Sequence, residues 1–529
     1  MNKPSTTPAD VCLVLEGTYP YVSGGVSTWV HQIVTALKDV TFSLHFIGSE
    51  RPQKPERKYD LPANVVSLHE TYLFDPSEKA PKPRSLPLSE VEPILDAVRT
   101  LVESPSADRP LSPLCRTITD FAQKHRFVDF WHHPATFDLV SDLYENHFPQ
   151  ESFLDFFWTV RFLIEPAWRL IADLDRLPAA RLYHSPCTGY AGLAGAVAAE
   201  RSGAPFLLSE HGIYVKERIA EIQRARWIHE TAELRPSMLP QPAALRQLWI
   251  AFFHLLGRHA YRSASRITSL FQKNADLQVE YGAAAEKIEI VPNGVDAGAF
   301  VSIRAAREAA VGAEPGRTVI GFLGRIVSIK DVKTLIQAAG IVHRSAPQAV
   351  FRLTGPTDEE PAYFEECLQL VARLGLEKAV RFTGPMTLEA FLPQVDIVAL
   401  SSLSEGLPFV VLEAFAAGLP MVSTDVGSCR ELIEGRADES PALGRAGFVV
   451  PVGDAERLAD AMLRLVTDPA LAADMGGHGR RRVEAHYIHA DVIRRFRTLY
   501  RSLTGTDQTS ETGGWRPLVK KSASSPIQA

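Results

Sequence analysis

The sequence has few cysteines and no long apolar run. Its 529 residues include five cysteines, which lie far apart and form no C-x-x-C pair. That spacing argues against a disulfide framework and against structural zinc, and it predicts reduced thiols in a cytoplasm. No window approaches the ~20 apolar residues that cross a bilayer, and the N-terminus lacks the pattern of a signal peptide. The expected location is therefore cytoplasmic.

Long basic runs are absent as well. The formal net charge is −6 at pH 7, so nucleic acid is not an expected partner. The apolar content of 46% and the charged content of 22% are those of a soluble globular protein. A chain of this length is expected to form two or three domains.

Apolar β-type runs alternate with helical patterns in both halves of the chain. This alternation predicts an α/β fold with two doubly wound Rossmann-like domains facing each other across a cleft. A turn-rich Pro-Asn-Gly-Val-Asp segment at 292–296 marks the predicted boundary between domains 1–292 and 293–504. The last helix of the second domain could pack back on the first.

Two segments fall outside that alternation. Residues from about 51 to 177 are predicted to form a helical insertion in the first domain. Its first part, to about residue 116, is rich in proline and charge and shows little strand pattern, whereas its second part has apolar residues at helical spacing. Residues 505–529, rich in Ser, Thr, Gly and Lys, are predicted to be a disordered tail.

The segment from Asp396 to Asp425 has the pattern strand, polar loop, apolar helix, glycine stop, strand. Pro408 suits the first turn of that helix, where a missing N–H group costs nothing. Glu413 is the exception in an otherwise apolar helix. A buried carboxylate costs roughly several kcal/mol unless it is partnered, so Glu413 requires a partner.

Charged residues near this helix suit a phosphorylated, hydroxyl-rich ligand. Arg325 follows a predicted strand and Lys330 comes five positions later; a guanidinium fork and a mobile ammonium together suit a diphosphate. Glu405 precedes Glu413 by eight residues, so each carboxylate could serve a different part of a polyhydroxylated ligand. Gly406 lies at the helix start, where free N–H groups can face an anion. Each of the two cations taken alone is more typical of a solvated surface.

The first half contains two weaker signals. Gly24 and Gly25 lie between a predicted strand and a helix, which is the geometry either of a phosphate-binding turn or of a simple tight turn. His211 follows another strand at its C-terminal end, where ligands bind in open α/β sheets. A single histidine is more often structural, but its place beside a glycine at a strand end favours a site.

A metal site is not expected. The Asp-x-Asp sequence at Asp173 and Asp175 lies at a predicted helix end, and we interpret it as a solvated face. No cofactor is implied either.

These motifs together resemble a known family. SEGLPFVVLEAFAAGLPMVSTDVGSCREL resembles the E-x7-E signature of retaining glycosyltransferases of family GT4, which adopt the GT-B fold. GRIVSIKDVKTLI is similar to that family's donor-phosphate loop, and VPNGVD to its interdomain connection. More narrowly, LVLEGTYPYVSGGVSTWVHQI and SEHGIYVKER resemble the Pel-type exopolysaccharide glycosyltransferases.

The resemblance implies roles for the donor-side residues. Glu413 would accept the ribose hydroxyls of a nucleoside diphosphate sugar, and Glu405 would bind and orient the donor sugar. Arg325 and Lys330 would hold the diphosphate and stabilise charge on the leaving group. The backbone of Gly406 and Leu407 would contact sugar or phosphate.

It also implies roles for the other domain. Gly24 and Gly25 would approach the phosphate, and His211 the donor sugar near the acceptor. Further acceptor-side candidates are Glu16, Lys216, Glu217 and Arg218.

The activity implied is metal-independent, retaining transfer of a hexosyl unit from a UDP-sugar to a growing exopolysaccharide. UDP-glucose is the favoured donor, and UDP-GlcNAc and UDP-GalNAc remain open. Membrane proteins of a Pel-type synthase and export complex are the implied partners, through which the chain could lie at the inner membrane. Two alternatives stay open: a transferase acting on a lipid-linked or small-molecule acceptor, and a non-catalytic nucleotide-sugar-binding subunit.

Overall fold

Two compact units make up the described part of the chain. The computed structural model describes residues 8–52, 56–74, 82–103, 111–225, 228, 244–310, 316–436 and 439–505. Among these, the first unit comprises the chain up to Ser269, the segment Asn274–Ile290 and the chain from Arg497 onward; the second comprises Leu270–Lys273 and Val291–Phe496. The predicted tail lies outside the described residues from position 506 on.

The first unit contains a seven-stranded parallel sheet. Its central strands are apolar and buried on both faces, as parallel strands covered by helices require. The strands are β1 (Val11–Glu16), β2 (Phe42–Glu50), β3 (Val65–Phe74), β4 (Tyr183–Ser185), β5 (Phe206–Glu210), β6 (Arg266–Ser269) and β7 (Ile288–Ile290). Their order across the sheet is β3-β2-β1-β4-β5-β6-β7.

Helices of the first half follow the predicted alternation. They are α1 (Gly25–Ala36), α2 (Leu88–Glu103), α3 (Ser112–Ala122), α4 (Phe127–Trp131), α5 (Pro134–His147), α6 (Phe153–Asp173), α7 (Tyr190–Ser202), α8 (Tyr214–Arg224), α9 (Ala244–Ser263) and α10 (Gln272–Glu280). Helices α2 to α6 form the predicted helical part of the insertion. Helix α6 is continuous through Pro166.

Strand β3 corrects the prediction for residues 51–116. The segment was expected to show little strand structure, but β3 pairs with β2 from Val65 to Phe74. Polar residues at Ser67 and from His69 to Thr71 interrupt its apolar pattern. An edge strand has only one strand neighbour and tolerates such residues, so its sequence lacks the continuous apolar run of a central parallel strand. The helical insertion therefore begins after β3.

The second unit contains a six-stranded parallel sheet of order β10-β9-β8-β11-β12-β13. Its strands are β8 (Thr318–Leu323), β9 (Ala349–Thr354), β10 (Val380–Gly384), β11 (Ile397–Leu400), β12 (Met421–Thr424) and β13 (Gly447–Val450). The remaining helices are α11 (Phe300–Ala310), α12 (Val332–Ser345), α13 (Pro361–Arg373), α14 (Leu388–Phe391), α15 (Phe409–Ala416), α16 (Cys429–Glu434), α17 (Ala455–Thr467), α18 (Pro469–His486) and α19 (His489–Thr504), which enters the first unit at Arg497. Among the described residues, no helix combines the length and apolarity needed to span a membrane.

Both sheets reverse their strand order at one place. In the first unit this switch point lies between β1 and β4, and in the second it lies between β8 and β11. The prediction of two doubly wound, Rossmann-like α/β domains is confirmed. Ligands of such sheets bind at the carboxyl ends of the strands that flank the switch point.

Candidate functional site

A lysine and a glutamate meet at the switch point of the second unit. Lys330 lies in the loop after β8, and Glu405 lies in the loop after β11. The Nζ atom of Lys330 is 2.6 Å from Oε1 of Glu405, and the two side chains are 17% and 12% exposed. The topology therefore places a charge pair, shielded from bulk water, where a ligand is expected.

One oxygen of Glu405 is bound and the other is available. Oε1 accepts the Lys330 ammonium and also the Ser402 hydroxyl, at 2.6 Å each. Oε2 accepts no hydrogen bond from the described residues. A carboxylate fixed in this way can offer its second oxygen to a ligand hydroxyl.

The Glu405 loop is held by residues that sequence reasoning did not single out. The Thr424 hydroxyl donates to the carbonyl of Ser402 at 2.7 Å, and Ser428 N–H donates to the carbonyl of Gly406 at 2.9 Å. Gly427 has a φ of +52°, and a Cβ there would overlap the carbonyl oxygens of Glu405 and Gly406. Gly427 lies three residues after the end of β12, and no local sequence pattern indicates its contact with the Glu405 loop.

The Lys330 side of the site has an unusual backbone. Asp331 has a φ of 44°, the left-handed region that residues other than glycine rarely adopt. It is held there as the N-cap of α12, where its carboxylate accepts the Thr334 hydroxyl at 2.6 Å. The Ser401 hydroxyl donates to the Lys330 carbonyl at 2.9 Å. Strain of this kind is found at functional sites, where surrounding structure enforces it.

Arg325, the other predicted diphosphate ligand, contacts a different carboxylate. One of its terminal nitrogens lies 2.6 Å from both oxygens of Glu359. Both side chains are about half exposed, at 48% and 52%. The structure therefore does not join Arg325 to the Lys330–Glu405 pair, and its guanidinium can move at little cost because exposed ion pairs are weak.

Glu413, predicted to be a buried carboxylate, lies in α15 and is half-buried. Desolvation raises its pKa to about 7. Its carboxylate makes no hydrogen bond or ion pair with the described residues, so the partner that the sequence required is not supplied within them. Pro408 is the N-cap residue of this helix and not part of its first turn as predicted.

The two residues before Pro408 present donors. The N–H groups of Gly406 and Leu407 donate to no acceptor among the described residues. Their carbonyls are occupied, that of Leu407 by the Asn293 amide at 3.3 Å. These N–H groups lie in the loop before the N-cap and can donate to an anion or to a hydroxyl oxygen.

A second polar cluster lies at the switch point of the first unit. Glu16 ends β1, and its oxygens accept the Tyr214 hydroxyl at 2.6 Å and Ala191 N–H at 3.2 Å. The Arg218 guanidinium lies 4.9 Å from the centre of the Tyr214 ring. Glu16 and Arg218 are thus brought together through Tyr214, whereas Lys216 and Glu217 lie exposed on α8.

His211 lies directly after β5 and packs against α1. Its ring centre is 4.4 Å from that of Trp29. Burial lowers its pKa to about 3, so the imidazole is neutral at physiological pH. The imidazole makes no hydrogen bond to the described residues, and a neutral ring can both donate to and accept from a hydroxyl group.

Gly24 and Gly25 are exposed at the N-terminus of α1. Gly24 is the N-cap, and no side chain caps the helix. No atom lies within 4 Å of where a Cβ would stand on either residue. The space suits an approaching anion but is equally that of an exposed turn, so these glycines are candidates by position alone.

The prediction of a solvated face at Asp173 is wrong. Its side chain is 15% exposed, and Oδ2 lies 2.9 Å from Nε2 of His69 and accepts the Thr71 hydroxyl. Asp175 forms an ion pair with Arg201 on the surface. No sequence pattern indicated the burial of Asp173, because its partners His69 and Thr71 lie on β3, the strand that was not predicted.

Two family profiles match the chain. The profile described as Domain of unknown function (DUF3492) matches residues 9–286, just over half of the chain. The profile described as Glycosyl transferases group 1 matches residues 317–468, which include Lys330, Glu405 and Glu413.

Curated relatives match the chain in part. A D-inositol 3-phosphate glycosyltransferase of Kribbella flavida is 29% identical over 287 residues, covering 51% of this chain and 63% of the relative. One of Pseudarthrobacter chlorophenolicus is 32% identical over 218 residues, covering 40% of this chain and 50% of the relative. The chain thus spans less than two thirds of the length of these relatives.

Solved structures resemble the chain over nearly all of its length. Sucrose-phosphate synthase from Thermosynechococcus elongatus has a TM-score of 0.57 at 17% identity, covering 94% of this chain and 100% of its own. HepE of Anabaena in complex with UDP and glucose has a TM-score of 0.53 at 15% identity, covering 93% and 100%. At these identities the likeness establishes the GT-B fold alone.

Proposed function

The chain belongs to the DUF3492 family, and we propose that it is a retaining glycosyltransferase. It transfers a hexosyl unit from a UDP-sugar to a growing exopolysaccharide. The observation that carries this proposal is the Lys330–Glu405 pair at the switch point, with Oε2 of Glu405 available. The match of this unit to the group 1 glycosyltransferase profile supports it.

The donor is proposed to bind across the loops after β8 and β11. Glu405 Oε2 accepts a sugar hydroxyl, while Ser402 and Lys330 keep the carboxylate in place. The Lys330 ammonium is a mobile point charge, so it can bind a diphosphate oxygen while it stays paired with Glu405. Arg325 is proposed to leave Glu359 and to bind the diphosphate together with Lys330.

Glu413 is proposed to accept the ribose hydroxyls. Its pKa of about 7 reflects a desolvated carboxylate with no donor, and two neighbouring hydroxyls supply the donors it lacks. The N–H groups of Gly406 and Leu407 are proposed to contact the sugar or phosphate.

Charge stabilisation is the proposed source of catalysis. When the bond from the anomeric carbon to the diphosphate breaks, negative charge develops on the leaving phosphate, and Lys330 and Arg325 are proposed to stabilise it. A donor phosphate oxygen assists removal of the acceptor proton, as the family resemblance implies. Neither an enzymic nucleophile nor a catalytic metal is invoked.

The first unit is proposed to serve the acceptor. Glu16, Tyr214 and Arg218 form a polar cluster at its switch point, with Lys216 and Glu217 on the same helix. His211 is a neutral imidazole that is proposed to bind a sugar hydroxyl. Gly24 and Gly25 offer backbone N–H groups to phosphate.

The polymer assignment rests on sequence motifs that resemble PelF, the cytoplasmic glycosyltransferase of Pel exopolysaccharide assembly. It carries with it a cytoplasmic location, a role in biofilm formation and membrane partners that export the product. UDP-glucose is the proposed donor. HepE has a similar fold and was solved in complex with UDP and glucose, which supports this choice.

A small-molecule acceptor is the second candidate. It is favoured by the curated relatives, which are named as D-inositol 3-phosphate glycosyltransferases. Under this alternative the donor site is unchanged, and only the residues of the first unit take a different partner.

The test is a UDP-release assay on the purified full-length chain with UDP-glucose, UDP-GlcNAc and UDP-GalNAc. Each is offered with oligosaccharide acceptors, with lipid-linked acceptors and with inositol phosphate. We expect release with one donor and a sugar acceptor, and none from a Glu405→Gln variant that still binds UDP. Binding without release under every condition would instead support a nucleotide-sugar-binding subunit, and inositol phosphate as the sole acceptor would support the second candidate.

A further inference from the structure

Two histidines and an aspartate converge in the first unit under the end of α6. His45 on β2 and His69 on β3 are direct register partners, so their side chains leave the same face of the sheet. Their ring centres are 5.2 Å apart. Asp173, the last residue of α6, covers this face, and one ligand atom from each of the three residues lies within 4.8 Å of the others.

The pKa values of two of the three groups are shifted by their surroundings. His45 is fully buried, and desolvation lowers its pKa to about 3, so its imidazole is neutral. Desolvation opposes ionisation of Asp173, but hydrogen bonds from His69 and Thr71 outweigh it and lower the pKa of the carboxyl group. Imidazole and carboxylate groups are common ligands of transition metals, and the site is inferred from the convergence of these three side chains.

The hydrogen bonds within the cluster leave one buried nitrogen without a partner among the described residues. Nε2 of His45 lies 2.8 Å from the Thr71 hydroxyl, which in turn donates to Asp173. Nδ1 of His45 is buried and has no partner among the described residues. A buried unpaired nitrogen calls for an explanation, and coordination of a metal ion by this nitrogen would supply one. Arg176, whose terminal nitrogen is 3.4 Å from Asp173, is 80% exposed, and its charge is well screened.

The geometry points to a binding site for a divalent transition metal, with His45, His69 and Asp173 as its ligands. Two imidazoles and one carboxylate suit Zn²⁺ or Fe²⁺ and not Mg²⁺, which prefers oxygen ligands alone. Zinc bonds of about 2.0–2.1 Å hold tetrahedral ligands on the order of 3.4 Å apart, so side-chain shifts of about 1 Å close the cluster. Water completes the fourth position.

The ion has a route of entry and a structural consequence. His69 and Asp173 are 20% and 15% exposed, so solvent reaches the site from their side. The ligands come from two strands and from the last helix of the insertion. A bound metal therefore ties the end of α6 to the sheet, independently of the glycosyl transfer proposed above.

Zinc binding to the full-length chain tests this site. The chain is stripped with a chelator and titrated with Zn²⁺ in competition with a chromophoric chelator, and its thermal unfolding is followed with Zn²⁺ and with Mg²⁺. We expect one equivalent of Zn²⁺ to bind and the Tm to rise with Zn²⁺ but not with Mg²⁺.

Two aspartates at one helix end provide a matched control. Asp173→Asn keeps the side-chain shape but removes the charge, and Asp175→Asn makes the same change two residues away. His69→Gln is a second test that leaves the fully buried His45 in place. Stoichiometric binding is expected to be lost in Asp173→Asn and His69→Gln and retained in Asp175→Asn. The site is overturned if the wild type binds no stoichiometric Zn²⁺, or if the variants bind it as the wild type does.

Discussion

Each unit contains a desolvated carboxylate, and the two have opposite surroundings. Glu210 in the first unit and Glu413 in the second both have a pKa raised by burial. Glu210 accepts hydrogen bonds from four groups: the Tyr261 and Thr188 hydroxyls, the Gln278 amide and Tyr214 N–H. Glu413 accepts none from the described residues.

The difference indicates that Glu210 serves the fold, whereas Glu413 serves a ligand. Four donors compensate for the burial of Glu210. The same hydrogen bonds hold the turn that leads to His211 and Tyr214. Glu413 is desolvated without compensation, a cost that folding alone does not explain. Retaining such a group is understandable when a ligand supplies the missing donors.

Replacing Glu210 by alanine should produce the largest effect. The Tyr261 hydroxyl, the Gln278 amide and Tyr214 N–H lose their acceptor inside the core, so we expect the free energy of unfolding to fall by about 3–5 kcal/mol. Urea denaturation measures it. Glu221→Ala, which removes an exposed carboxylate from α8, should change it by less than about 0.5 kcal/mol. If Glu210→Ala changed the free energy of unfolding as little as Glu221→Ala, the structural role assigned to Glu210 would be wrong, and so would its difference from Glu413.

Arg325→Ala tests whether the charges of the second unit serve a ligand. Removing a group that stabilises leaving-group charge should lower kcat by about a hundredfold or more, with little change in stability because the pair with Glu359 is exposed. Steady-state UDP release gives kcat. Arg430→Ala, which removes another exposed arginine paired with a carboxylate, is the control, and equal losses in both variants would exclude a specific role for Arg325.

Ser402→Ala sharpens the account of how Glu405 is oriented. Oε1 loses one of its two donors, and a hydrogen bond to a charged group contributes about 1.5–3 kcal/mol. We expect kcat to fall by about tenfold while the Kd for UDP is unchanged, since UDP lacks the sugar that Glu405 binds. Ser402→Thr retains the hydroxyl and should recover activity. A fall in UDP affinity in place of kcat would contradict the positioning role.

Glu413→Gln should stabilise the unliganded protein at alkaline pH. The folded pKa of about 7 lies above the ordinary value near 4.5, so the folded state binds the extra proton and stability falls as pH rises through this range. The cost is present above pH 7 and absent below about pH 4.5. The Tm gain of the variant should therefore be larger at pH 8 than at pH 5, as differential scanning calorimetry would record; an equal gain at both pH values would contradict the assigned pKa.

Sequence alone predicted the fold more fully than the site. Apolar runs such as Val11–Leu15 and Thr318–Leu323 identify strands because parallel strands are buried on both faces. Strand β3 escaped prediction because an edge strand can carry polar residues such as His69 and Thr71. The interpretation of Asp173 failed for the same reason.

Within the site, local patterns identified charges but not their partners. The spacing of Glu405 and Glu413 and the position of Lys330 could be taken from the chain. The pairing of Lys330 with Glu405 depends on β8 and β11 being neighbours, which is a property of the sheet. Gly427 acts through backbone contact with a loop some twenty residues earlier, which no local pattern reveals.

The most direct test is calorimetric titration of UDP into the wild type and Glu413→Ala. If Glu413 accepts the ribose hydroxyls, its removal should weaken UDP binding by about tenfold or more, while Glu434→Ala, which removes a half-buried carboxylate from the next helix, leaves the affinity unchanged. Equal UDP affinity in the wild type and in Glu413→Ala would contradict the account.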